Sequence, residues 1–369
     1  MFYHFIYPLS EYISALNLFR YITFRSITAA LIAMGLTILL GRFYILKMTQ
    51  KNHQPRKLTP KTHEKKKGTP SMGGLVIIAA VLITLLVTGR WDNPYTILAL
   101  CTLIGFAGIG FIDDYIKHAH NHGRGLYWTT KLACECLLAF FIIAAIVKIQ
   151  PTFTLLDADK TTLLQYSKVI IPFTKDTWID LRSGYWLLAI IVIIASSNSV
   201  NLSDGLDGLA VGLSLFILSA FIVITYATGH SIMAMYLKIP HLSNIGELTV
   251  FLSALAGSCL GFLWYNAHPA EMFMGDTGSL ALGGTIGLTA LLLKEELLLP
   301  IVGGVFVLEA LSVIIQVTYF KLTKKRFFKM APLHHHFELL GIKESKIIAR
   351  FWIMGAILAL VAIASLKIR

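Results

Sequence analysis

Apolar residues run through this chain in long unbroken stretches, and polar residues gather between them in short, dense clusters. A helix needs about 17 to 25 apolar residues to cross the hydrocarbon core of a bilayer. Ten stretches of roughly that length recur, at residues 22–46, 71–88, 95–112, 129–147, 185–200, 209–228, 247–265, 277–293, 297–320 and 351–366. Several carry no charge at all, as in "YTILALCTLIGFAGIGFI" before Asp113 and "LAVGLSLFILSAFIVITYAT" after Gly208. Hydrocarbon offers backbone N–H and C=O groups no partner, so a spanning segment must bond them internally, and these runs exceed the roughly ten alternating residues of a barrel strand. The pattern predicts an all-α polytopic membrane protein of about ten transmembrane helices, forming a single integral membrane domain over residues 1–369.

Composition agrees. Of 369 residues, 56% are hydrophobic and 14% charged, and the mean hydropathy of +0.70 excludes an ordinary soluble globular chain. The opening "MFYHFIYPLS" has neither a cationic start nor a small-residue cleavage site, so no removable signal peptide is expected. Cys101, Cys134, Cys136 and Cys259 all fall inside apolar runs and read as packing residues. Cys134 and Cys136, two apart on a helix, point to different faces and make a poor ligand pair. Neither a disulfide framework nor a cysteine zinc site is expected.

Charge supplies an orientation. The net charge of +12 is unevenly placed: residues 47–70 carry eight Lys/Arg and residues 321–350 another eight, whereas the connectors "GRWDNP" and "KEELLLP" carry one each. By the positive-inside rule the two basic segments face the cytoplasm, and ten spans then put both termini on the outside. The loops after the first, third, fifth, seventh and ninth runs share the cytoplasmic side, and nearly every unusual polar cluster lies in them. The external segment 148–183 holds five Lys/Arg and four Asp, which weighs little because long loops count for less. Most of these cations read as topology determinants or as partners of anionic membrane lipid; no nucleic acid partner is expected.

The clusters carry the candidate chemistry. Asp113, Asp114 and Lys117 close the third run in "DDYIK", and Asp113 and Lys117, four apart, share a helix face. A solvated helix end explains one acid, but a pair at a membrane boundary is less ordinary, because an acid well inside a span costs about 2.5–3.5 kcal/mol. In "NSVNLSDGLDGLA", Asn198, Asn201, Asp204 and Asp207 recur every third residue, so any helical portion lines them along one side. Helix capping needs only one such residue. Asp276, in "FMGDTGS", precedes the eighth run and suits an N-cap there.

His334, His335 and His336 adjoin in "PLHHHFE". Their side chains diverge, so a loop turning one or two inward, as phosphate hydrogen-bonders or a pH-sensitive element, fits better than one three-histidine metal site, although zinc stays open. Glu309 and Gln316 lie inside the ninth run, where polar groups face other helices or a wet cavity. Hard oxygen ligands beside lysines suit Mg2+, which shares its coordination shell with phosphates and water. Neither a Walker loop nor GxGxxG is present. The chemistry indicated is magnesium-assisted handling of a phosphate or diphosphate at a membrane surface.

Six motifs, "KKKGTPSMGG", "DDYIK", "NLSDGLDGLA", "GFLWYNAHPAEMFMGDTGSLALGG", "EALSVIIQV" and "APLHHHFE", follow in this order from about residue 20 to the end. Together they resemble the phospho-N-acetylmuramoyl-pentapeptide-transferase family of the polyprenyl-phosphate N-acetylhexosamine-1-phosphate transferases. One departure is Ser71, where threonine is the usual form. The resemblance implies a ten-helix enzyme of the bacterial inner membrane with its cleft facing the cytoplasm. It implies transfer of phospho-MurNAc-pentapeptide from UDP-MurNAc-pentapeptide to undecaprenyl phosphate, giving lipid I and UMP with Mg2+ as cofactor. By the same resemblance Asp113, Asp114 and Asp276 are the essential acids, with Asp276 the magnesium ligand. Asn201, Asp204 and Asp207 match the nucleotide loop, Phe273 an aromatic that stacks on uracil, and Lys66, Lys117 and Lys131 phosphate contacts. Ser71, Asn198, Asn266, Gln316 and His334 to His336 complete the substrate-site candidates, and a homodimer is compatible with this reading.

Two rivals remain. A sister enzyme using UDP-N-acetylglucosamine would share the aspartates, but "PLHHHFE" resembles the muramoyl-pentapeptide branch more closely. A transporter predicts charged pairs near mid-span in repeated halves, whereas these acids gather at one interface.

Overall fold

The computed structural model describes residues 2–48, 69–119, 125–150, 152–156, 161–174 and 177–368. Lys66 lies outside the described residues. The helices, in chain order, are α1 (Ile22–Met48), α2 (Gly74–Thr88), α3 (Pro94–Ala119), α4 (Trp128–Ile149), α5 (Gly184–Ser203), α6 (Leu209–Gly229) and α7 (Ser231–Leu237). They continue with α8 (Leu248–Asn266), α9 (Gly275–Leu293), α10 (Leu299–Val302), α11 (Gly304–Thr323), α12 (Leu333–Leu339) and α13 (Glu344–Ile368). Among the described residues nine helical spans are long and apolar enough to cross a membrane: α1, α3, α4, α5, α6, α8, α9, α11 and α13.

The second expected run, 71–88, forms the shorter α2 of 15 residues, about 22 Å at 1.5 Å per residue. Its first residues are diverted into a clasp. Phe273 N donates to Pro70 O and Gly73 N to Phe273 O, each at 2.8 Å, and Gly74 N donates to Met274 O at 2.9 Å. The ninth run also breaks, at Gly303, into α10 and α11.

The membrane body is all-α as expected, while the 148–183 connector adds short strands: β1 (Thr152–Leu156), β2 (Thr161–Gln165), β3 (Lys168–Ile170) and β4 (Trp178–Asp180). With β5 (Pro240–His241) they make a three-stranded sheet in the order β2-β1-β5 and a separate β3-β4 pair.

Helix α9 is the axis of the molecule, buried at every residue from Asp276 to Leu293. Its glycines make this possible, because small residues let helix backbones approach closely in a membrane. Gly278 lies against the backbone of Gly74, Gly283 against Ser196 and Ser197, and Gly284 under the Phe106 ring. Helices α3 and α5 run antiparallel to α9: Gly110 abuts Asp276, Ser197 Oγ donates to Leu280 O at 3.1 Å, and Asn201 Nδ2 donates to Ser279 Oγ at 2.8 Å. The C-terminal ends of α3 and α5 therefore meet the N-terminal end of α9.

Candidate active site

At that meeting point stand Asp113 and Asp114 from the last turns of α3 and Asp276 from the first turn of α9, all three buried. One carboxylate oxygen from each lies within 4.8 Å of the others. Lys117 contacts Asp113 one turn away, reaches Asp114 Oδ1 at 3.7 Å and binds Asp276 Oδ2 at 2.9 Å. Lys131, from the start of α4, binds the same Asp276 oxygen at 2.9 Å. The i, i+4 pairing expected of Asp113 and Lys117 is present.

The remaining acceptor capacity of the α3 acids fixes the surrounding chain. Asp113 Oδ1 accepts from Leu126 N at 2.6 Å, and Asp114 Oδ2 accepts from Thr277 N at 2.9 Å and Thr277 Oγ1 at 2.8 Å. Asp114 thus supplies the capping contact at the start of α9. Asp276, expected as the N-cap, is the second residue of the helix, and its carboxylate turns to the lysines instead. Gly275 allows this arrangement: its φ is +75°, and a Cβ there would sit 2.7 Å from Asp114 Oδ2.

A second polar group forms where α5 passes into α6. Asn198 and Asn201 lie on α5, Asp204 is its C-cap, and Asp207 lies in the turn before α6, so the three-residue repeat spans a helix end rather than one continuous face. Asp207 Oδ2 accepts from Ala270 N and meets His268 Nδ1, both at 3.1 Å, while Asp207 N donates to Glu344 Oε1 at 3.1 Å. Asp207, His268 and Glu344 also form a compact group. Phe273, half-buried, is presented by the clasped loop that links this group to Asp276.

The three histidines lie at the start of α12 rather than in a loop, and the divergence expected of them is incomplete: the His334 and His335 rings lie 4.2 Å apart, while His336 turns to a separate partner. His334 is fully buried: its N and Nδ1 meet the two oxygens of Glu309 at 3.2 Å each, and its ring lies against Gly205. His335 Nδ1 meets Glu338 Oε2 at 2.7 Å, and His336 Nδ1 accepts from Lys329 N at 3.1 Å.

Of the other candidates, Gln316 and Asn266 turn to the backbone and Ser71 to a side chain. Gln316 Oε1 accepts from Phe327 N and Phe328 N at 3.1 and 2.8 Å. Asn266 Oδ1 accepts from Gly208 N at 3.1 Å, and its Nδ2 donates to Met272 O at 2.8 Å. Ser71 Oγ lies 2.7 Å from His118 Nε2. Sequence reasoning missed Glu135, fully buried on α4 one turn beyond Lys131, whose Oε2 accepts from Asn198 Nδ2 at 2.5 Å. The available signal was an acid in an apolar run, four residues after a lysine.

Residues 95–294, which carry both α3 aspartates, the Asp204–Asp207 turn and Asp276, match the glycosyl transferase family 4, so the class is a polytopic membrane transferase. Residues 66–78 match signature 1 of phospho-N-acetylmuramoyl-pentapeptide-transferase. Proteins of that name from Thermodesulfovibrio yellowstonii, Desulfosudis oleivorans and Maridesulfovibrio salexigens are 47%, 46% and 45% identical to this chain over 372 residues, covering 100% of both sequences in each case. The chain belongs to the phospho-N-acetylmuramoyl-pentapeptide-transferase family, as the six motifs implied.

Proposed function

We propose that this protein transfers phospho-MurNAc-pentapeptide from UDP-MurNAc-pentapeptide to undecaprenyl phosphate, forming lipid I and UMP, at the cytoplasmic face of the bacterial inner membrane. The observation that carries the reading is the convergence of Asp113, Asp114 and Asp276 with Lys117 and Lys131 at one end of α9. The orientation is supported by the basic segment 321–350, which returns to that same end: His334 packs on Gly205, and Glu344 receives Asp207 N.

Three carboxylates against two ammonium groups leave one net negative charge, and an all-oxygen donor set fits Mg2+. Asp276 would hold the ion, with Asp113 and Asp114 within reach. Bound there, Mg2+ would neutralise the diphosphate charge that develops as UMP departs. Lys117 and Lys131 serve the same end from the protein side, moving from the aspartates to phosphate oxygens as the donor enters.

A phosphate monoester has its second pKa near 6, so at pH 7 most of the acceptor is already a dianion and no strong general base is demanded. Asp113 and Asp114 orient the acceptor and take its last proton where one remains. An acceptor oxygen attacks the sugar-linked β-phosphorus in line, and the bond to the bridging oxygen breaks, so UMP leaves with that oxygen. Asn201, Asp204 and Asp207 border the nucleotide, with Phe273 stacked on uracil. A phosphorylated enzyme isolated from donor alone, without lipid, would refute this one-step route.

Substrate choice is tested by UMP release from purified full-length protein with undecaprenyl phosphate. Release is expected with UDP-MurNAc-pentapeptide and not with UDP-N-acetylglucosamine. Activity with the second donor alone would assign the protein to the sister reaction.

A further inference from the structure

Helix α13 begins with an acid, Glu344, inside the basic segment 321–350. An acid there has an ordinary explanation, because a negative charge in the first turn favours any helix. Such a charge needs no partner outside its own helix, yet Glu344 reaches one. Its Oε1 accepts from Asp207 N at 3.1 Å, across 137 residues of sequence, and its Oε2 lies 3.7 Å from His268 Nδ1. The same imidazole nitrogen stands 3.1 Å from Asp207 Oδ2, where a neutral ring donates Nδ1–H to the carboxylate.

Packing holds this contact in place. Helix α13 lies along α6: Gly212 sits against the Trp352 indole, and Gly355 against the Leu213 and Phe216 side chains. Trp352 is about 12 Å beyond Glu344 at 1.5 Å per residue, and Gly212 is one turn beyond Gly208, the N-cap of α6. The helix that carries the acid and the helix that follows the Asp204–Asp207 turn are therefore one packed pair. The Glu344 side chain is only 13% exposed, so little water competes with the turn for its carboxylate.

From the turn, hydrogen bonds run on to Phe273. Ala270 N donates to Asp207 Oδ2 and Gly208 N to Asn266 Oδ1, both at 3.1 Å, and Asn266 Nδ2 donates to Met272 O at 2.8 Å. Met272 precedes Phe273, whose own N and O pair with Pro70 O and Gly73 N. The turn and the aromatic are thus joined step by step on one side, while Glu344 holds the turn from the other.

We propose that Glu344 is a positioning residue of the nucleotide site. It touches no substrate; by holding Asp207 N and the His268 ring it keeps the Asp204–Asp207 turn at the spacing from Phe273 that a uracil ring needs. This role rests on the assignment of that turn and Phe273 to the uridine end of the donor. A turn released from Glu344 binds the donor less well before and during transfer alike, so the loss falls on KM and not on kcat.

UMP release by the full-length protein, with donor and undecaprenyl phosphate titrated separately, tests this role through two variants that part charge from reach. Glu344→Asp keeps the charge at the start of α13 but stops one methylene short of Asp207 N. Its KM for the donor is expected to rise about tenfold, as loss of one hydrogen bond to a charged group allows, with kcat and the KM for undecaprenyl phosphate unchanged. Glu344→Gln drops the charge and keeps the acceptor, so its donor KM should stay within about threefold of wild type. The reverse order, with Gln impaired and Asp not, would make Glu344 a helix-terminus charge only, and an equal rise in both KM values would make it a general support of the fold; either result overturns the proposal. Phe273→Ala separates this role from the assignment beneath it. A raised donor KM there with none in Glu344→Asp overturns the role of Glu344 alone, whereas an unchanged donor KM in Phe273→Ala overturns the uridine assignment and the role with it. Should Glu344→Asp fail to fold, His268→Ala, which removes the second link, decides: a donor KM about threefold above wild type is expected, and an unchanged one overturns the proposal.

Discussion

At Asp276 a single carboxylate oxygen serves two ammonium groups, Lys117 and Lys131, each at 2.9 Å. Lys131 is tied in turn to what lies behind it. Glu135, one turn along α4, fixes the Asn198 side chain, so it ties the lysine helix to the C-terminal part of α5. Glu135→Leu should lower the rate of UMP release about tenfold, the scale of a buried hydrogen bond to a charged group. Glu135→Gln, which keeps an acceptor for Asn198, should recover most of the rate. Equal loss in both variants would mean that the negative charge, not the hydrogen bond, is what matters.

How far single residues can be read from sequence follows from how local their partners are. Lys117 and Asp113 were legible because four residues on a helix make one face. The bond from Lys131 to Asp276 joins residues 145 apart; the family resemblance named each residue, and nothing in the sequence paired them. Asn266 and Gln316 show the limit. A polar side chain among apolar helices must find a partner, but its type does not say whether that partner is substrate or backbone, and both amides here bind backbone.

Among the elements, the apolar runs located the membrane body because span length is set by the bilayer, whereas α2 came out short because its first residues clasp the Phe273 loop. That clasp depends on backbone pairing with a loop about two hundred residues away, which periodicity does not register. The strands of the 148–183 connector are three to five residues long, too brief for alternation to stand out.

Helix α1 offers a test at this scale. Arg25, fully buried, forms two bonds of 2.6 and 2.7 Å with Glu247, just before α8, and Arg90 Nη1 reaches the same carboxylate at 3.8 Å. Arg25→Leu leaves a buried acid with only that longer contact and should cost about 3–5 kcal/mol. Arg25→Leu combined with Glu247→Leu should restore most of the lost thermal stability in detergent. A double variant less stable than the single one would show that the pair itself, not the orphaned charge, holds α1 to α8.

For the whole molecule, helix ends sort the chemistry. The acids, the Asp204–Asp207 turn and the basic segment 321–350 share one end, while the short strands, the Arg25–Glu247 pair and Gln150 share the other. Alkaline phosphatase, active only outside the cytoplasm, should therefore be active when inserted at Lys238 and inactive when inserted at Lys329. The reverse pattern would place the acids outside.

Phosphate transfer is assigned to the point where Asp276 meets the two aspartates of α3. The most direct test is UMP release by full-length Asp276→Asn across a magnesium titration, with wild type alongside and an unchanged melting temperature as the control for folding. Asparagine keeps the shape of the side chain and removes the charge. Turnover is expected to fall to background at every magnesium concentration; turnover like that of wild type at ordinary magnesium would contradict the assignment.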